Sequence, residues 1–173
     1  MKNVVLIGMP SSGKTTVGKR VANILGLQFK DTDALISSFV GKTPAEIVRE
    51  SGRERFLKIQ EEAVCKIKGD NQVIATGGSM VLCKKCMDHL KKEGITVFLK
   101  TDYNTMLKRL TPERKLARDN NQSLHGMYTE RLPLYQEYAD IVIDCSRKKV
   151  DEIIDELIDA CKDEGFGIYE TGI

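Results

Sequence analysis

At 173 residues, with 41% hydrophobic and 30% charged side chains, the chain has the size and make-up of one folded domain; wholesale disorder and a pair of ordinary domains are excluded. Lysine and arginine number 27 against 25 acids, a formal net charge of +2, so a polyanion-binding scaffold is excluded and any basic character acts locally. The apolar run Val4 to Ile7 is too brief for a signal-peptide core and nothing approaches a membrane span, which makes a cytoplasmic protein without membrane or nucleic-acid partners the expectation.

Val4-Val5-Leu6-Ile7 reads as a buried strand, and from Gly13 the period turns helical, with Val17, Val21, Ile24 and Leu25 on one face until Gly26 stops it. Between the two, Gly8-Met9-Pro10-Ser11-Ser12-Gly13-Lys14-Thr15 matches GxxxxGK[ST] in full. Each position has a reason. The glycines let backbone N–H groups turn inward around phosphates, and the following helix offers its positive end. Lys14 reaches the β- and γ-phosphates, and the Thr15 hydroxyl ligates magnesium. A strand before and an amphipathic helix after are the context that confirms the motif, so ATP and Mg2+ are the expected cofactors, with Thr16 completing the cradle.

Leu27-Gln28-Phe29 is a second short strand ending at Asp31, and Asp31-Thr32-Asp33 stands at its end. Two carboxylates one residue apart there suit metal organisation and activation of a substrate hydroxyl; the competing reading is that one of them merely caps the next helix. A helix-rich stretch runs from Asp33 to about Lys68, broken at Gly41 and re-entered at Thr43-Pro44. Gln72 to Ala75 is the third strand, closed by Gly77-Gly78; Ile95 to Leu99 is the fourth and Ala139 to Ile143 the fifth. Helices are expected over Lys84 to Lys92, Tyr103 to Arg109, His125 to Glu137 and Val150 to Lys162. Residues 111–124 are polar and without apolar period, the mark of a lid or binding loop, and 165–173 read as a tail, which leaves 1–164 as one domain. Strands alternating with helices give an α/β domain with a parallel sheet and right-handed crossovers, whose ligands sit beyond the carboxyl ends of the strands. No exposed apolar stripe argues for a dimer, so a monomer is expected.

The five cysteines, an odd number, are expected to be free thiols. Cys83-Lys84-Lys85-Cys86 has the spacing of half a zinc site, but a structural zinc needs about four ligands and no second such pair exists. The pair reads as two thiols in the first turn of a surface helix.

These motifs together resemble the shikimate kinase family over nearly the whole chain. The resemblance runs through the phosphate loop, the Asp31-Thr32-Asp33 triplet, Gly41-Lys42-Thr43 with Ile47, Gly52 through Phe56, Ala75-Thr76-Gly77-Gly78, Arg131 with Pro133-Leu134-Tyr135, and Ala139-Asp140. It implies five parallel strands flanked by helices on both faces, a mobile lid, and transfer of the ATP γ-phosphate to a small alcohol, a step of aromatic amino acid biosynthesis. By position it implies that Asp31 is associated with magnesium, that Asp33 binds the substrate hydroxyls and serves as base, and that Gly77 and Gly78 bring backbone to the substrate. Arg109 then flanks the nucleotide, Arg114 is the lid arginine, Arg131 grips the substrate carboxylate, and Arg147 or Lys148 flanks the adenine.

The chain departs from the family pattern on the acceptor side. Where family members carry an arginine after the phenylalanine of Gly52 through Phe56, this chain has Leu57; the acid three residues later is Gln60, and the third glycine is Ser79. Positions i and i+3 share a helix face, so one charged patch has become neutral. A charge-assisted contact is worth about 1.5–3 kcal/mol, so its loss predicts carboxylate binding weakened roughly ten- to hundredfold. The expectation is an acceptor that differs from shikimate at this end, with Arg53 a solvated surface charge or a partial substitute. A gluconate-kinase-like sugar-acid kinase is the nearest alternative enzyme, and a non-catalytic nucleotide-binding regulator the alternative from another class.

Overall fold

The computed structural model of the chain describes residues 2–111, 116–118 and 121–165. Five strands, β1 (Asn3–Ile7), β2 (Gln28–Asp31), β3 (Gln72–Ala75), β4 (Gly94–Lys100) and β5 (Ile141–Asp144), form one sheet in the order β2-β3-β1-β4-β5, and every pairing is parallel. The helices are α1 (Lys14–Leu25), α2 (Thr32–Val40), α3 (Pro44–Val64), α4 (Lys84–Lys92), α5 (Tyr103–Arg109), α6 (Leu124–Tyr138) and α7 (Val150–Asp163).

β1 shows why the sheet is covered on both faces. Its side chains alternate: Val4 and Leu6 join the core with Val17 and Val21 of α1 and Ile154 and Leu157 of α7, whereas Val5 and Ile7 join Met87 of α4 and Met127 and Tyr135 of α6. All four are fully buried, which is the reason a central parallel strand reads as an unbroken apolar run. Because every strand runs the same way, the loops after β1, β2 and β3 open on one edge, and that edge holds the chemistry. A third apolar cluster, Ile36, Ile47, Phe56, Ile59 and Ala63, joins α2 to α3 beside it.

Several boundaries differ from expectation for identifiable reasons. Leu27 is no strand residue: Gly26, left-handed at φ 64°, and Leu27 both donate to Ala22 O, so Leu27 completes the cap of α1 and β2 starts one residue later. Ala139 and Asp140 lie outside β5, since Ala139 caps α6 and the Asp140 carboxylate accepts from Thr96 N–H at 2.8 Å. The helix-rich stretch ends at Val64, short of Lys68, and α3 is kinked at Gly52, whose φ of 78° and ψ of 174° are outside the helical region. Its start follows the expected logic, with Pro44 in the first turn and a Thr43–Glu46 capping box. A 3-10 turn, Met80–Leu82, was too short to leave a period in the sequence. Residues 166–173 of the tail and 112–115 and 119–120 of the lid lie outside the described residues.

Cys83 and Cys86 correct the reading of a surface pair. Cys86 is fully buried and Cys83 nearly so; Cys83 caps α4, its Sγ accepting from Cys86 N–H at 3.2 Å. All five cysteines are free, and no group of three metal-ligating side chains occurs among the described residues.

Candidate active site

The phosphate loop leaves β1 at Gly8, where an added Cβ would meet Leu99 O at 2.7 Å and Ser12 Oγ at 2.9 Å, so only glycine lets the loop lie against β4. Gly13, left-handed at φ 93°, turns the chain into α1 without offering a side-chain cap, and the first turn of α1 carries no acid. The orphan N–H groups and positive end of α1 are therefore left to an anionic ligand. Lys14 is 7% exposed, and its Nζ donates to Gly8 O and Met9 O, each at 2.7 Å, and to Ser12 Oγ at 3.1 Å. Of the predicted nucleotide residues, Ser11, Ser12, Gly13, Lys14, Thr15, Thr16 and Arg109 line one cleft, together with Asp31, Asp33, Gly77 and Gly78. Gly8 shapes the loop but does not line it.

Asp31 caps the next helix, one of the two readings that the sequence left open, and keeps its other oxygen for the phosphate loop. Its Oδ1 accepts from Asp33 N–H at 2.9 Å and Ala34 N–H at 3.2 Å, capping α2, while its Oδ2 accepts the Thr15 hydroxyl at 2.8 Å. The cap fixes the carboxylate and aims its second oxygen at the phosphate loop. A hydroxyl and a carboxylate held side by side there are hard oxygen donors, the kind magnesium takes. Two residues on, Asp33 packs against the glycine turn so closely that a Cβ on Gly77 would lie 2.6 Å from Asp33 Oδ1. Gly77 N–H donates to Thr32 Oγ1 at 3.0 Å, which pins the turn to the start of α2.

Asp33, Gly77 and Gly78 also belong to a second cleft that adjoins the first. One wall of it is polar, with Ser79 and Arg131; the other is apolar, with Pro10, Val48, Phe56, Leu116 and Ala117. Arg131, on α6, is 1% exposed. It donates from Nη2 to Ala117 O and lies beside the Tyr135 phenol, which donates to Gly78 O at 2.5 Å. Its Nε has no partner among the described residues. Burial pushes the Arg131 pKa below the ordinary guanidinium value, with Tyr135 and Glu130 opposing, and pushes the Tyr135 phenol up to about 12. A guanidinium remains charged under such conditions, so a cation is stationed at the cleft with a donor to spare.

Two expectations on this side are corrected. Leu57 does not line the cleft; it packs with Val48 and Ala117 against the α2–α3 cluster behind it, because a helix position flanked by Phe56 and Ile59 is more stable in apolar surroundings. Arg53 is neither solvated nor directed at a ligand: its side chain is 15% exposed and pairs with Glu130 at 2.7 Å. Burial works to raise the Glu130 pKa, but hydrogen bonds from Arg53 and Gln122 outweigh it and leave the carboxyl below its ordinary range. Ser79 does line the cleft, its hydroxyl donating to Oε1 of the fully buried Gln60 at 2.9 Å.

Arg147 and Lys148 are not brought to the phosphate cleft. They line a separate depression with Asp102, Asp144 and Ser146 at the ends of β4 and β5, and Lys148 pairs with Glu156. Arg114 lies outside the described residues. Sequence reasoning missed Thr32, the apolar wall, and the bond from Tyr135 to Gly78; Pro133-Leu134-Tyr135 was noticed only as part of a resemblance.

Comparison with known proteins agrees with this geometry. The family model described as Shikimate kinase matches residues 10–162. A shikimate kinase of Caldanaerobacter subterraneus is 39% identical over 165 residues, covering 92% of this chain and 96% of that protein. One from Thermodesulfovibrio yellowstonii is 39% identical over 163 residues, covering 91% and 94%. Among solved structures, the shikimate kinase of Acinetobacter baumannii in complex with shikimate superposes with a TM-score of 0.87 at 27% identity, over 96% of each chain.

Proposed function

This chain belongs to the shikimate kinase family and is an ATP-dependent small-molecule kinase; from that premise we propose that its acceptor is shikimate, the molecule bound in the Acinetobacter relative, and that it works with magnesium as a cytoplasmic monomer. The observation that carries the reading is the position of Asp33, whose carboxylate borders both the phosphate cleft and the cleft beside Arg131.

In this reading the N–H groups of the phosphate loop, the positive end of α1 and Lys14 hold the phosphates of ATP. Thr15 and Asp31 hold magnesium, which when bound neutralises phosphate charge. Asp33 accepts the proton of the acceptor hydroxyl as its oxygen attacks the γ-phosphorus and the bond to the ADP oxygen breaks. Arg109, with Arg114 from the lid, balances charge on the group in transit, and Arg147 or Lys148 flanks the base of the nucleotide. Gly77 and Gly78 let the acceptor approach the backbone. An acceptor without a carboxylate is disfavoured by Arg131, since a buried cation with an unpaired Nε is costly until an anion meets it.

A coupled assay of ADP formation tests this. Turnover that requires shikimate, with a micromolar to sub-millimolar KM typical of enzymes, is expected. Asp33→Asn should lower kcat by about 10²–10⁴ while ATP binding is kept. Turnover of a neutral polyol in preference to shikimate would overturn the acceptor, and full activity of the variant would overturn the role of Asp33.

A further inference from the structure

Two buried donors, one on a residue that lines the acceptor cleft and one behind it, have no acceptor among the described residues. One is Arg131 Nε; the other is Nε2 of Gln60, a fully buried residue whose Oε1 accepts from Ser79. An unpaired buried donor costs about 1–3 kcal/mol, and orphaned N–H groups are rarer in folded proteins than under-satisfied carbonyl oxygens. Turning the Gln60 amide over exchanges oxygen and nitrogen in the same space. In that arrangement Nε2 donates to Ser79 Oγ, the unpaired place passes to the carbonyl oxygen, and the Ser79 hydrogen is released toward the cleft that Ser79 lines. The neighbourhood supplies no competing cation: among the described residues Arg131 is the only cationic side chain lining this cleft, and Arg53 is engaged by Glu130.

From this we infer that Gln60 and Ser79 form the specificity-determining pair of the acceptor site. Ser79 donates to one oxygen of the acceptor's carboxylate, Arg131 Nε donates to the other, and Gln60 is the positioning residue that sets the direction of the Ser79 hydroxyl. A neutral relay thus supplies the second contact beside Arg131, the only cationic side chain among the described residues lining the cleft. The inference rests on the reading of a carboxylate-bearing acceptor given above and adds the group that recognises its second oxygen.

Steady-state kinetics on shikimate, and on its analogue with the carboxylate reduced to a hydroxymethyl group, test the pair. Ser79→Ala should raise KM for shikimate about tenfold with kcat nearly unchanged, the effect of losing one hydrogen bond to a charged group, and should leave KM for the analogue as it was. Gln60→Glu offers residue 60 only as an acceptor when ionised, so Ser79 stays turned to it and KM rises similarly. Adding Ser79→Ala to Gln60→Glu should then cost little more, a coupling read from the double-mutant cycle. Lowering the pH far enough to protonate the introduced acid should recover part of the affinity. Thermal unfolding with ADP present checks that each variant is folded. Unchanged KM in Ser79→Ala, equal losses for shikimate and the analogue, or fully additive effects would each overturn the inference while leaving the reading of function intact. Absence of any shikimate turnover by the unaltered chain would overturn that reading and this inference with it.

Discussion

Replacing Arg131 by methionine separates binding from folding. Arg131 is 1% exposed, and its guanidinium donates to Ala117 O and lies beside the Tyr135 phenol. Bonds to a charged group are worth about 1.5–3 kcal/mol each, but the charge was also taken out of water, at an effective cost of several kcal/mol per ion. The two nearly cancel, so methionine of similar length should change the stability of the unliganded protein by no more than about 1–2 kcal/mol, in either direction. The ligand has no such compensation. Loss of a charge-assisted contact to the acceptor carboxylate removes about 1.5–3 kcal/mol of binding and raises KM for shikimate roughly ten- to hundredfold, with a much smaller change in kcat. Urea unfolding and the coupled assay read the two quantities on the same preparation. Arg131→Lys, a point charge without the planar fork, should recover part of the affinity. A variant that loses several kcal/mol of stability yet keeps its KM would refute the reasoning, because Arg131 would then be a structural strut for the α6–Gly78 contact.

Three further outcomes follow from the geometry. Gly77→Ala places a Cβ 2.6 Å from Asp33 Oδ1, so the carboxylate must shift, and kcat should fall about a hundredfold, the cost of misplacing a reacting group by about an ångström. Asp31→Asn keeps a good N-cap for α2 and so should preserve stability while raising the magnesium concentration needed for half-maximal rate; Asp31→Ala should add a loss of about 1 kcal/mol of stability, measured by urea unfolding. Of the five free cysteines only Cys65 is more than marginally exposed, and burial pushes the Cys145 and Cys161 thiols up to about 12. A colorimetric thiol reagent should therefore titrate about one thiol in the native protein and the rest only on unfolding.

What could be read in the sequence was what has a local cause. The phosphate loop is contiguous, and α4 and α5 match their expected spans because each has a clean apolar period after a capping residue, Cys83 and Asp102. Asp31 and Asp33 could be named because one ends a strand and the other follows two residues on, although not that one carboxylate would serve as both helix cap and partner of Thr15. The acceptor side was legible only as a list of altered positions. Its working contacts cross elements far apart in the chain: Ser79 to Gln60, Tyr135 to Gly78, Arg53 to Glu130. Such pairs leave no periodic trace, since each residue alone is compatible with many partners. Leu57 shows the hazard. Its position marked it as a substrate residue, yet an aliphatic side chain beside Phe56 and Ile59 packs against the apolar cluster.

The most direct test of the account is phosphorus NMR of purified protein incubated with ATP, magnesium and shikimate, run beside the Asp33→Asn variant. The account predicts conversion of the γ-phosphate signal into a phosphomonoester of shikimate by the unaltered chain, and bound but unconsumed ATP in the variant. Hydrolysis of ATP to inorganic phosphate with shikimate unmodified, or equal conversion by both proteins, would contradict it.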